Sequence, residues 1–190
     1  MTMSIKKLVV VFLLLAVSST VARAQRFSVG TNLVQWANYV TYNAELGYSL
    51  NRHISVVGGA RFNDAQKDFP DRHVIQQNKQ KTAYLGARYW PWYMNSGLWF
   101  GAKGQYQEFA QSGLWRSALD QGRAAGVGLS AGFTLMLTKH LNVEFGAGLW
   151  GGCLLEYTLY DCPICLNVRD RGSRMFIAPD DVSVSLVIVL

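Results

Sequence analysis

Between residues 124 and 150 the chain reads AAGVGLSAGFTLMLTKHLNVEFGAGLW, and its apolar residues fall on every second position. Ala125, Val127, Leu129, Ala131, Phe133, Leu135 and Leu137 form one run, and Leu141, Val143, Phe145, Ala147 and Leu149 form the next. A period of two places all of these on one face of an extended strand, because successive side chains of a strand point to opposite sides. The other face carries Gly126, Gly128, Ser130, Gly132, Thr134, Asn142, Glu144, Gly146 and Gly148. One greasy face and one small or polar face, joined through Thr138-Lys139-His140, predict a hairpin with an apolar exterior and a polar interior, the pattern of a strand pair in a membrane barrel.

The same alternation recurs along the chain. It predicts strands over 27–36, 42–50, 54–62, 81–90 and 97–109, then the hairpin, whose second strand runs on towards Tyr160, and a last strand over 181–190, eight in all. Tight turns are expected at Asn51, Tyr93 and Thr138, whereas 63–80, 110–121 and 161–180 lack a period and read as long exposed loops. The link at 38–41 is short. Alternating short and long connections are those of an up-and-down outer-membrane barrel, and closure removes the bare strand edges that lipid penalises. The expected fold class is therefore all-β, an eight-stranded antiparallel transmembrane β-barrel behind a cleaved leader.

That leader is 1–24. Lys6 and Lys7 precede the apolar run 8–17, and Ala22-Arg23-Ala24 supplies a small-residue cleavage pattern. The run is too short for a spanning helix, which needs about 20 residues. Removing Lys6, Lys7 and Arg23, with no acid among them, lowers the formal charge from +6 to +3, so the basic character belongs in part to the leader. Arg61, Arg88 and Lys103 sit on separate predicted strands and make no clustered basic face, so a nucleic-acid partner is not expected. The remainder, 25–190, has the size of one domain.

The inward positions of these strands carry Glu45, Arg61, Arg88, Lys103 and Glu144. An eight-stranded barrel is only wide enough for side chains to fill it, so these charges are expected to pair in a plug rather than line a pore. Facing lipid instead, a charged side chain costs about 2–4 kcal/mol at mid-depth. Aromatic residues gather near strand ends: Trp90, Trp92, Tyr93 and Trp99 near one tight turn, and Tyr106, Phe109, Trp115, Tyr157 and Tyr160 towards the long loops. They are expected to form two interfacial girdles.

Few residues suggest chemistry. Cys162 and Cys165 bracket Pro163-Ile164 and are candidates for a loop disulfide in an oxidising compartment, with no βαβ context for a redox motif. Cys153 falls on the apolar face. His73 with Ser112 or Ser117 is the one combination that suggests a hydrolase, without a spacing that sets nucleophile beside base. No cofactor, metal site or catalytic residue is expected.

At TNLVQWA, AELGYSL, GARYW, LNVEFGAGLW, LYDCPICL and IAPDDVSVSLVIVL the chain resembles small Bacteroidota proteins grouped as a domain of unknown function, DUF3575. The resemblance covers nearly all of 25–190. It implies an outer-membrane barrel of the OmpA transmembrane type, often encoded beside fimbrial or OmpA-like surface proteins, with no catalytic residues to carry over. The expected setting is thus the outer membrane of a Gram-negative bacterium. Membrane lipid is the expected partner, with surface or fimbrial proteins contacted through the long loops. Two other readings stand beside it: a secreted barrel binding a small apolar ligand, which wants its greasy face inward, and a lipid-modifying outer-membrane enzyme.

Overall fold

A computed structural model of the chain describes residues 26–37, 41–69, 74–112, 119–161 and 167–190. Eight strands follow one another: β1 (Phe27–Asn32), β2 (Tyr42–Ser49), β3 (Ile54–Phe69), β4 (Val74–Tyr89), β5 (Gly97–Ser112), β6 (Leu119–Met136), β7 (Leu141–Tyr160) and β8 (Val168–Val189). Each pairs antiparallel with its chain neighbour, and β1 closes on β8 through Ser28 opposite Val189. The result is a closed up-and-down barrel. In the hairpin β6–β7, Phe133 stands opposite Phe145 and Ala131 opposite Ala147, the register that its alternation requires.

The turns at one end are held by side chains. Asn51 Oδ1 accepts the amides of His53 (2.8 Å) and Ile54 (2.9 Å), and Thr138 Oγ1 accepts those of His140 (3.3 Å) and Leu141 (3.0 Å). Between β4 and β5, Asn95 and Gly97 take the left-handed backbone conformation that reverses the chain. His53 and His140 turn their Nδ1 atoms to the carbonyls of Trp90 and Val189, at 2.9 and 3.2 Å, and so pin these turns to the adjacent strand ends.

Two expectations about the strands are corrected. The first strand stops at Asn32, and Leu33–Ala37 forms a short helix, α1. Asn32 caps it: its Oδ1 accepts the Val34 amide at 3.0 Å, while its own amide donates to Asn43 Oδ1 at 2.6 Å. Where the structure describes them, the three long loops are mostly strand. β3 and β4 stay paired out to Phe69 opposite Val74, β5 and β6 out to Gln111 opposite Asp120, and β7 and β8 out to Tyr160 opposite Val168. In sequence these stretches mix polar and apolar residues without regard to parity, so they lose the apolar period while keeping the hydrogen-bond ladder.

Apolar and polar faces divide as the alternation predicts. Large apolar side chains point out, Val127 at 71% exposure, Leu129 at 69% and Leu149 at 60%, with Leu46, Leu85 and Val182 also exposed. Inside, Glu144 is 3% exposed, and Arg61, Thr134, Asn142 and Gln105 are buried. Glycines let the inward-facing aromatics lie flat on the wall. A Cβ at Gly132 would collide with the Trp99 ring and with the Phe145 carbonyl.

Candidate functional site

The lumen is layered. At the turn end lie Trp90 and Trp99, ring centroids 6.3 Å apart, with the Trp90 indole donating to Ser55 Oγ at 3.0 Å. At the opposite end Ala124, Trp150 and Leu154 pack with Phe109, Tyr157, Phe176 and Ala178, and Trp150 meets Phe176 edge-on at 4.5 Å. The charged groups lie between these layers.

Arg88 is their hub. One guanidinium nitrogen lies 2.7 Å from Glu45 Oε1 and the other 3.1 Å from Glu144 Oε2, and its plane covers the Trp99 ring at 4.5 Å. Glu45 also accepts the Tyr84 hydroxyl at 2.9 Å. Across the Tyr84 ring stand Lys103, with Nζ 4.6 Å from the centroid, and Arg61 at 5.3 Å. Both turn to Asp180: Lys103 contacts Oδ2 directly, and Arg61 Nη1 is 3.8 Å from Oδ1. The five charges expected inside are thus brought together, and a sixth joins them.

Asp180 is the residue that sequence reasoning missed. The alternation ends at Pro179-Asp180-Asp181, which made 161–180 read as a loop. In the structure Ala147 opposes Val182 while Leu149 opposes Pro179, so β8 carries one extra residue there. That bulge resets which face each residue takes and leaves the Asp180 side chain only 2% exposed, beside Lys103. A signal was present in the arithmetic. Three bases and two acids in a closed lumen leave one positive charge over, and Asp180 cancels it.

The space left inside is a cavity of ≈ 60 Å³ bordered by Asn32, Asn43, Arg61, Tyr84, Lys103 and Asp180. A small-molecule site occupies about 300–1,000 Å³. The interior is therefore filled by side chains, polar at mid-height and capped by aromatic layers.

The expected girdle residues separate into two sets. Trp92, Tyr93 and Tyr106 are exposed on the outer surface. Trp90, 1% exposed, and Trp99, 3% exposed, point into the lumen instead, and Phe109 and Tyr157 pack towards Trp150 and Leu154. Parity explains the difference: Trp90 follows the outward Tyr89, and Trp99 lies between Leu98 and the outward Phe100. Beyond the apolar belt the Tyr157 hydroxyl donates to Asp170, and this bond holds its pKa above the usual tyrosine range.

Cys153 is a free, exposed thiol on the outer face of β7. Cys162, Cys165, His73, Trp115 and Ser117 lie outside the described residues, as does 1–24. Ser112, from the hydrolase combination, is buried. Among the described residues no three His, Cys, Asp or Glu side chains converge as a metal site.

A family model described as "Protein of unknown function (DUF3575)" matches residues 9–190. No curated protein and no solved structure matches the chain.

Proposed function

The chain belongs to the DUF3575 family, and from the two faces of its barrel we propose that it is a non-enzymatic integral outer-membrane protein of the OmpA transmembrane type. It reaches that membrane behind a cleaved leader, 1–24, and its role is structural or one of surface assembly. The single observation that carries this reading is the reversal of an ordinary protein's polarity: apolar outside, charged inside. Water gives no reason to expose Leu46, Leu85, Val127, Leu129 and Leu149 in one band, whereas hydrocarbon does.

The height of the band supports it. On β6 the outward apolar positions run from Ala125 to Leu135. Ten residue steps at about 3.3 Å each cover roughly 33 Å along the strand, and a tilt of about 40° reduces this to roughly 25 Å, the height of an outer-membrane apolar band. Trp92 and Tyr93 at one end, and Trp36, Tyr42 and Tyr106 at the other, are exposed aromatics suited to the two interfaces.

The interior argues for anchorage rather than passage. Three cations and three carboxylates neutralise one another between two aromatic layers, and the ≈ 60 Å³ that remains suits water rather than an apolar ligand. A secreted ligand-binding barrel needs the opposite orientation. A lipid-modifying enzyme needs a nucleophile beside a base at the rim; of the one combination that suggested it, Ser112 is buried, and His73 and Ser117 lie outside the described residues.

The test is fractionation of cells followed by electrophoresis with and without boiling. The protein is expected in the outer-membrane fraction, shifting in apparent mass when boiled. A soluble pool whose mobility ignores boiling overturns the proposal.

A further inference from the structure

The wall of the barrel is uneven. β8 pairs with β1 only over Ser185–Val189, and β3 pairs with β2 only over Ser55–Phe62. Above these levels, among the described residues, no strand stands on the β1 side of β8 over 168–184 or on the β2 side of β3 over 63–69, while β7 and β4 pair with their other edges. α1 sits at the floor of this opening, where Asn32 Oδ1 accepts the Val184 amide at 3.4 Å.

The groups that the β8 edge presents follow from alternation. Val184 and Leu190 both donate towards the β1 side, Leu190 to the Phe27 carbonyl at 2.7 Å, and residues of one parity share that direction. The bulge after Pro179 shifts the parity, so Pro179, Ile177 and Met175 take the bare side above it. Pro179 has no amide hydrogen to leave unsatisfied there. Ile177 and Met175 have theirs, and their side chains are the most exposed large apolar groups described, at 85% and 83%. Further along, Arg171 and Arg169 are exposed, held only loosely by Glu156 at 3.5 Å and Asp161 at 4.0 Å.

Water satisfies such an edge where it reaches it, and an added extended backbone replaces that water with a ladder of fixed hydrogen bonds. The arginines choose between candidates. The same edge of a second copy brings like charges together, whereas a strand bearing carboxylates pairs with them. We infer that the bare edge of β8 between residues 168 and 178 receives an extended, acidic segment of another protein as an added strand. Its apolar part lies along Met175 and Ile177, and its carboxylates meet Arg169 and Arg171. This deepens the surface-assembly reading by naming the surface.

The test uses the full chain folded in detergent, so that it stands or falls apart from the fractionation result. Three fluorescent ten-residue peptides serve as probes: alternating valine and glutamate, the same with lysine for glutamate, and the glutamate peptide N-methylated on alternate amides. The glutamate peptide is expected to bind, and the other two at least about tenfold more weakly. Ile177→Pro removes one edge donor that only an added strand uses, and should weaken binding about two- to tenfold while leaving the heat-dependent gel shift intact. Arg169→Glu with Arg171→Glu, both exposed and outside the lumen, should reverse the preference to the lysine peptide. Absence of binding by the glutamate peptide, equal binding of all three peptides, or binding indifferent to both variants overturns the inference.

Discussion

Asp180→Asn tests whether the lumen is held together by charge balance. The substitution keeps shape and removes the carboxylate that Lys103 and Arg61 share, turning a network of three cations and three anions into one with a net positive charge. Breaking a buried ion pair costs about 3–5 kcal/mol because the remaining charge stays desolvated. The Tyr84 ring, 4.6 Å from Lys103 Nζ, faces the ammonium before and after the substitution and so cancels from the difference. The expected loss is therefore about 3–5 kcal/mol, read as a lower urea midpoint for the detergent-folded barrel by tryptophan fluorescence. Lys103→Met added to Asp180→Asn restores neutrality, since two cations, Arg61 and Arg88, and two carboxylates, Glu45 and Glu144, then remain inside. The double variant should recover at least about 1 kcal/mol of the single variant's loss. A cost for Asp180→Asn below about 0.5 kcal/mol, or simple addition of the two losses, would refute the balance argument.

Leu129→Lys places a charge near the middle of the apolar band and should cost about 2–4 kcal/mol of folding free energy in phospholipid vesicles. An unchanged vesicle titration would argue that lipid does not touch this face. Gly132→Ala forces a methyl into the Trp99 ring and the Phe145 carbonyl, and a loss of about 1–3 kcal/mol is expected in the same urea measurement. Thiol labelling of the intact barrel without reductant should tag Cys153, exposed on β7, and spare Cys162 and Cys165. Tagging of all three excludes the loop disulfide.

Much of this was readable from alternation because a strand with one apolar and one polar face writes its orientation into the chain. The inward placement of Glu45, Arg61, Arg88, Lys103 and Glu144 follows from counting by twos from Leu46, Ala60, Ala87, Ala102 and Phe145. The same counting places Trp90 and Trp99 inside, where their indoles line the charge layer. Grouping them with the interfacial aromatics by nearness to a turn set residue type above parity. The ribbon extensions left no such trace: their residues show no apolar period, and the pairing with the neighbouring strand is what marks the segments as extended.

The chain by itself determined the strand count, the polarity of the two faces and the charge that must be balanced within, because side-chain alternation is a local property. Tertiary structure alone decided that β1 ends at Asn32, that β8 bulges after Pro179 to bring Asp180 against Lys103, and that, among the described residues, no strand covers the β1 side of β8 above Ser185. Each of these depends on which backbone lies alongside, and a hydrogen bond between strands distant in sequence has no signature in either strand read alone.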